Sequence, residues 1–172
     1  MAHETREQAI NKLNQLIKGI RVAMLTTVDE DGELHSRPMA TQKAETRDGV
    51  LWFFTSANSQ KVEELQHDHH VNLGYASPDD NRYVSVSGAA RLMRDRQKIE
   101  ELWSPVLKAW FPQGVDTPDI ALLRVEVHSA EYWDSPSSTM VKLAGFTKAV
   151  LHGERYEPGE NERIDLGEPV TH

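Results

Sequence analysis

Residues 51–65 read LWFFTSANSQKVEEL. The stretch begins with four bulky apolar residues that have strand character and do not alternate with polar ones. Small hydroxylated residues follow, and a helical pattern then resumes with Lys61 in its first turn. A strand that ends in a Ser- and Thr-rich turn before a helix presents hydroxyls and unpaired backbone N–H groups at one point. Lys61 adds a positive charge there, so this stretch can hold an anion such as phosphate.

The same residues also fit an ordinary strand–helix junction with Ser59 as the N-cap. Taken alone, residues 51–65 favour this second interpretation. The phosphate-binding loop pattern Gly-x-x-x-x-Gly-Lys-Ser/Thr occurs nowhere in the sequence. An anion site would therefore have to be built from the strand end, the helix start and basic side chains supplied by other segments.

Length and charge limit the classes of protein to consider. The chain has 172 residues, which suits one domain, and carries 27 acidic against 19 basic side chains for a net charge of −8. This balance argues against a nucleic-acid-binding surface and against attraction to anionic membranes. The sequence has no cysteine, which excludes disulfides, thiolate catalysis and cysteine-ligated metals.

The first seven residues are charged and lack an apolar signal core. No apolar run approaches the ~20 residues that a membrane-spanning helix needs. The sequence therefore predicts a soluble, cytoplasmic protein without a membrane partner. The histidine-rich segment 67–70 resembles a metal site in composition, but neighbours on a helix-to-strand turn point apart and no fourth ligand is evident. No metal is predicted.

Apolar periodicity predicts a mainly β domain with peripheral helices. Strands are expected at residues 21–28, 33–42, 50–55, 71–76, 82–93 and 120–133. Helices are expected at residues 4–20, 59–66, 95–110 and 140–150. Tight Asp-Gly turns between the early strands indicate antiparallel pairing, and six such strands suit a small barrel. We predict one domain, residues 1–151, followed by a polar C-terminal tail, residues 152–172, that is frayed from Gly153 onward.

Five segments, in this order, carry a family resemblance. They are residues 35–39 (HSRPM), 52–56 (WFFTS), 59–61 (SQK), 83–90 (YVSVSGAA) and 131–134 (EYWD). Together they resemble the pyridoxamine 5′-phosphate oxidase-like split-barrel flavoproteins, and among these the bacterial general stress protein 26 group. The resemblance implies a six-stranded antiparallel split β-barrel that holds FMN at the interface of a homodimer. Whether FAD also fits is left open.

The resemblance also assigns roles to single residues. Arg37 would contact the FMN phosphate, with Ser59 and Lys61, because its guanidinium fork suits phosphate oxygens. Pro38 and Met39 would lay their backbone against the edge of the flavin. The remaining cofactor-binding positions are Phe54, Thr55 and Ser56 at the ring and ribityl chain, Tyr83 and Trp110 reaching the flavin of the other subunit, and Trp133 near the ring.

Two departures from the family bear on function. Gln60 stands where the family usually places a second basic residue before the lysine. True pyridoxamine phosphate oxidases hold their substrate with an Arg and a His soon after the last-strand tryptophan, whereas residues 134–151 contain neither. Gln42 stands where the oxidase carries a lysine. Vitamin B6 oxidation is therefore not the expected activity.

Three functions remain open at the level of sequence. The first is an FMN-binding general stress protein, with or without weak oxidoreductase activity on an unknown substrate. The second is an oxidase of the pyridoxamine phosphate type or an NAD(P)H:flavin reductase. The third is a dimeric scaffold that has lost its flavin. No catalytic residue is assigned, because no nucleophile–base set or carboxylate pair presents itself and redox chemistry would belong to the flavin.

Overall fold

The computed structural model describes residues 5–43, 45–135, 139–153, 155 and 159–167, with the backbone alone for 139–143 and 145. These residues form four α-helices, seven β-strands and two short 3₁₀ turns. The helices are α1 (Arg6–Ile17), α2 (Gln60–His67), α3 (Arg96–Leu102) and α4 (Thr139–His152), with 3₁₀ turns at Pro105–Ala109 and Gly114–Asp116. The strands are β1 (Val22–Val28), β2 (Leu34–Ala40), β3 (Val50–Ser56), β4 (His70–Ser77), β5 (Arg82–Met93), β6 (Ile120–Asp134) and β7 (Glu160–Asp165).

The predicted six-stranded antiparallel split barrel is confirmed. The strands lie in the order β2-β1-β4-β5-β6-β3, and every pairing is antiparallel. The two end strands approach each other, because the N–H of Gln42 just after β2 donates to the carbonyl of Trp52 in β3 at 2.8 Å. The sheet is therefore curled into a barrel that this single bridge joins across its open side.

Strand β3 is buried on both faces, which explains why its apolar run does not alternate with polar residues. Leu51 and Phe53 belong to the main core inside the barrel, where α1 covers the sheet. Phe54 belongs to a second core, and Trp52 packs against it. The second core lies on the other side of β3 and contains residues from α3, the first 3₁₀ turn and β6.

The single helix predicted over residues 95–110 is wrong. Helix α3 ends at Leu102, and the 3₁₀ turn begins at Pro105. Proline lacks the N–H that a helix interior requires and disfavours helical backbone in the residue before it. Val106 and Trp110 consequently lie on the exposed side of the turn rather than on the inner face of a continuous helix.

The frayed tail expected from Gly153 onward is wrong for residues 160–167. Strand β7 pairs with the second half of β6, from Ser129 to Asp134. Ile164 and Leu166 are buried in the main core, and Arg6 of α1 donates to the carbonyl of Leu166. Residues 154, 156–158 and 168–172 of the predicted tail lie outside the described residues.

Helix α4 follows β6, as the sequence predicts, and the side chains of Met140 and Leu143 lie outside the described residues. Phe146, Val150 and Leu151 are exposed on it. Among the described residues, no helix is both long enough and apolar enough to cross a membrane.

Candidate functional site

Arg37 lies on the edge strand β2, and its side chain points toward helix α2. Its Nη2 donates to Oε2 of Glu64 at 3.0 Å, and its Nη1 donates to Oγ1 of Thr27 on the neighbouring strand β1. The Arg37 side chain is 23% exposed. The guanidinium is therefore fixed on its inner side by two partners, while its remaining N–H groups are available to a ligand on the open side.

Glu64 completes this arrangement from helix α2. The hydroxyl of Thr27 donates to the same Oε2 atom that accepts from Arg37. Burial raises the pKa of the Glu64 carboxyl, but the hydrogen bonds from Thr27 and Arg37 outweigh it and leave the pKa below its ordinary value. Glu64 is therefore ionised at neutral pH and forms a largely buried ion pair with Arg37.

Lys61 lies one helical turn before Glu64 and is partly buried. Burial lowers the pKa of its ammonium, the nearby charge of Arg37 lowers it further, and Glu64 opposes the shift. Arg37 and Lys61 come from different elements and are both related to Glu64, Arg37 through its ion pair and Lys61 through its position one helical turn away. We call Thr27, Arg37, Lys61 and Glu64 the β2–α2 cluster.

Hydroxyl groups adjoin this cluster at the start of α2. Oγ1 of Thr55, at the end of β3, lies 3.3 Å from Oγ of Ser59. Ser59 is the N-cap residue of α2, but its side chain makes no capping hydrogen bond among the described residues. The first N–H groups of α2 therefore receive no acceptor from the N-cap side chain, and an anion can take that position.

Ser56 and Phe54, two other predicted cofactor contacts, have partners within the chain. The hydroxyl of Ser56 donates to a carboxylate oxygen of Asp119 and accepts from the N–H of Asn58. Phe54 packs edge-on against Trp103, with ring centroids 6.0 Å apart. Both side chains hold β3 to the second core and its loops.

Pro38, Tyr83 and Trp133 lie on the face of the sheet that is turned away from the core. Tyr83 and Trp133 are directly opposite each other on β5 and β6, and Pro38 is opposite Met24 on β1. Four strand spacings separate β2 from β6 in the sheet order, which is about 19 Å. One chain therefore does not bring Pro38 and Trp133 to the same ligand.

This outer face is rich in exposed apolar side chains. Val22 and Met24 of β1 are 52% and 45% exposed, and Tyr83 and Trp133 are nearly as open. Met39, by contrast, is partly buried against the main core, and Trp110, directly after the first 3₁₀ turn, is 70% exposed. The predicted site residues thus fall into one cluster near Arg37 and Lys61 and several separate positions.

Sequence reasoning missed Thr27, Glu64 and Asp119. Two signals could have identified the first two. Thr27 continues the inward alternation of Ala23 and Leu25 along β1, and Glu64 lies three residues after Lys61, on nearly the same side of α2. Asp119 had no local signal, because its contact with Ser56 spans 63 residues.

Three histidines, His35, His67 and His70, contact separate carboxylates. Nε2 of His67 lies 2.7 Å from Glu30, and Nδ1 of His70 lies 2.7 Å from Asp68. Ligand atoms of Asp29, Glu33 and His35 lie within 4.8 Å of one another. Asp29 already accepts from the N–H groups of Asp31 and Glu33, so this group closes the β1–β2 turn.

Comparison with known proteins places this geometry in a family. The family described as pyridoxamine 5′-phosphate oxidase like matches residues 8–157. Protein bli-3 of Neurospora crassa is 31% identical over 157 residues, a match that covers 86% of this chain and 75% of the relative.

Solved structures agree with the fold. The general stress FMN/FAD binding protein of Xanthomonas citri is 32% identical, with a TM-score of 0.64 over 76% of this chain and 92% of the other. A general stress protein 26 from Jannaschia sp. CCS1 has a TM-score of 0.70 over 91% of this chain and 97% of the other, at 23% identity. On the extent of these matches, the chain belongs to the pyridoxamine 5′-phosphate oxidase like family.

Proposed function

We propose that this protein is an FMN-binding protein of the general stress type that acts as a homodimer. The observation that carries the proposal is that Arg37 pairs with Glu64, one helical turn after Lys61, near the start of α2, where Ser59 makes no capping hydrogen bond and adjoins the hydroxyl of Thr55. Two cations, free N–H groups and hydroxyls in one partly buried place suit a phosphate monoester. The 32% identical relative from Xanthomonas citri, named as an FMN/FAD binding protein, supports a flavin as its carrier.

The residues that would hold FMN divide by the part of the cofactor they suit. Arg37, Ser59 and Lys61 would bind the phosphate, and Thr55 would lie nearest the ribityl chain. Pro38 and Met39 would contact the ring edge through their backbone, while Phe54 and Ser56 would support the site from behind through their own packing. When bound, FMN would supply one- or two-electron redox chemistry, and the protein would supply position and electrostatics.

A second copy of the chain is needed to complete this site. Along the sheet of one chain, Tyr83 lies three strand spacings (about 14 Å) and Trp133 four strand spacings (about 19 Å) from the strand of Pro38. The same face exposes Val22 and Met24, apolar side chains that a partner would cover. Two chains packed face to face would bring the partner's Tyr83 and Trp133 to the flavin, and Trp110 could approach from the first 3₁₀ turn.

Binding of FMN is tested with the purified protein and the double variant Arg37→Ala/Lys61→Ala. We expect wild type to show a flavin visible spectrum and to quench added FMN fluorescence. The double variant should weaken FMN binding more than about 100-fold, since each charge-assisted hydrogen bond contributes roughly 1.5–3 kcal/mol. Riboflavin, which lacks the phosphate, should bind both proteins with similar affinity.

Two outcomes would contradict the proposal. A colourless wild-type protein that leaves FMN fluorescence unchanged would support the flavin-free scaffold instead. An FMN affinity that the double variant does not change would show that the phosphate binds elsewhere. Mixing the FMN complex with NADH or NADPH under anaerobic stopped-flow conditions then tests turnover, because a flavin that stays oxidised is not a reductase site.

A further inference from the structure

Glu64 is a carboxylate with a role that the phosphate site does not by itself require. Its side chain is only 5% exposed, and it lies on α2 three residues after Lys61. One oxygen, Oε2, accepts from both Thr27 and Arg37. Because Arg37 also donates to Thr27, the three side chains form a closed ring of hydrogen bonds that links β1, β2 and α2.

The other oxygen of Glu64 is the unexplained one. Oε1 is buried and has no hydrogen-bond partner among the described residues. A buried carboxylate oxygen without a donor is unfavourable, because it has lost its hydrogen bonds to water and accepts none from the protein. Among the described residues, Glu64 interacts electrostatically with three positive groups, which are Arg37, His35 and Lys61.

Lys61 is the cation best placed to be attracted by Oε1, although it does not contact that atom in the structure. Residues three apart on a helix are neighbours on its surface, and Arg37 is already fixed to Oε2. His35 is engaged by Asp29 at 3.0 Å, and that contact raises the pKa of its imidazole. The ammonium of Lys61 has three donors on a flexible stem and forms no salt bridge among the described residues.

We propose that Glu64 is a positioning residue that organises both cations of the anion site. Its Oε2 fixes the guanidinium of Arg37, and the carboxylate, whose Oε1 has no donor, attracts the ammonium of Lys61 from one helical turn away until a phosphate group takes over that ammonium. The inference rests on the proposed function for the identity of the anion. It adds that two cations and one carboxylate leave a single positive charge at the site, so that affinity depends on orientation more than on total charge.

The test compares Glu64→Gln with Glu63→Gln, an exposed neighbour on the same helix. Glutamine preserves the shape and the acceptor for Arg37 but removes the charge that attracts Lys61. We expect Glu64→Gln to weaken FMN binding about tenfold while riboflavin affinity changes less than twofold, and Glu63→Gln to change neither. An equal loss for FMN and riboflavin would make Glu64 merely structural, and tighter FMN binding would make it only a repulsive charge; either result overturns the proposal.

A second measurement needs no flavin. The rate at which acetic anhydride acylates Lys61, read by peptide mass spectrometry across pH, reports the fraction of neutral amine. Loss of the Glu64 charge should shift this profile toward lower pH in Glu64→Gln but not in Glu63→Gln, and an unshifted profile overturns the influence of Glu64 on Lys61. If wild type binds no flavin while the profile still shifts, the proposed function fails and the influence of Glu64 on Lys61 stands.

Thr27→Val provides an independent variant if glutamine at position 64 prevents folding. Valine has nearly the shape of threonine and removes the hydroxyl that links Arg37 to Glu64, while both cations and the carboxylate stay in place. We expect a several-fold loss of FMN affinity, no change for riboflavin and an unchanged Lys61 profile, since Oε1 is unaffected. Unaltered FMN affinity would show that the ring does not orient Arg37.

Discussion

Lys61 is partly buried and its charge is influenced by that of Arg37, which predicts that the affinity for FMN depends on pH. In the protein without ligand, burial and the charge of Arg37 lower the pKa of Lys61 below its ordinary value of 10.5, whereas a bound phosphate would raise this pKa. At any pH between the Lys61 pKa of the free protein and that of the complex, FMN binding takes up a proton. We therefore expect FMN affinity to fall as pH rises, beginning below pH 10.5, by up to about tenfold per pH unit.

Fluorescence titrations from pH 7 to 10.5 would measure this dependence. Lys61→Arg is the matched variant, because a guanidinium stays charged over the whole range and should flatten the profile. Riboflavin provides the control for ionisation of the ring itself. A wild-type affinity for FMN that runs parallel to that for riboflavin would remove Lys61 from the phosphate site.

At the scale of residues, the sequence revealed the charged members of the candidate site but not the groups that hold them. Arg37 and Lys61 stand out because their neighbours in sequence resemble a family pattern. Thr27 and Glu64 acquire their importance only when β1, β2 and α2 are packed together, over 10 to 37 residues of separation. Local patterns carry little information about such pairings.

At the scale of elements, the spacing of apolar residues predicts a strand or helix well where the element faces the same surroundings along its whole length. All six predicted strands of the barrel are present because their apolar residues face one core or, in β3, two. The helix predicted over residues 95–110 is too long because the apolar stripe continues past Pro105, whereas the α-helical backbone cannot continue through this proline. Strand β7 was missed because Ile164 is the only apolar residue of this charged strand, and Leu166 follows its end.

The long strand pair β5–β6 contains an irregularity that makes a stability prediction possible. The register shifts at Ser87 and Gly88, where a Cβ on Gly88 would lie 2.2 Å from the carbonyl oxygen of Glu126. Backbone cannot move aside as a flexible side chain can. We therefore expect Gly88→Ala to lower the free energy of unfolding by about 1–3 kcal/mol, measured by urea denaturation at fixed protein concentration.

Gly74 on the adjacent strand β4 offers the matched control for this substitution. The nearest atoms to a Cβ there are the carbonyl oxygen and Cβ of Met24, at 3.9 and 4.0 Å. Gly74→Ala should therefore change the free energy of unfolding by less than about 0.5 kcal/mol. Equal effects of the two substitutions would mean that the bulge tolerates a side chain.

At the scale of the whole molecule, the outer face of the sheet predicts an oligomer. Met24 lies on that face in β1, which stands between β2 and β4 in the sheet order, and its side chain is well exposed. Met24→Asp would place a charge in the proposed interface of both copies, where desolvation and repulsion each disfavour association. We expect sedimentation velocity to show a dimer for wild type, a largely monomeric variant, and at least tenfold weaker FMN binding by that variant.

Gln15→Asp makes the same change in net charge on the solvent side of α1 and should leave both properties unaltered. A wild-type protein that binds FMN as a monomer would contradict the shared site. A Met24→Asp variant that remains dimeric would instead place the interface on another surface.

The junction of α1 with β7 has a consequence for biosynthesis. Arg6 donates to the carbonyls of Asp48 and Leu166, and Leu166 packs in the same core as Ile10 and Leu13. These contacts join residues separated by as many as 160 positions, so forming them closes a loop of nearly the whole chain. A nascent chain that has not yet delivered residue 166 would leave part of the main core open, and during translation it would depend on chaperones or speed of synthesis to avoid aggregation.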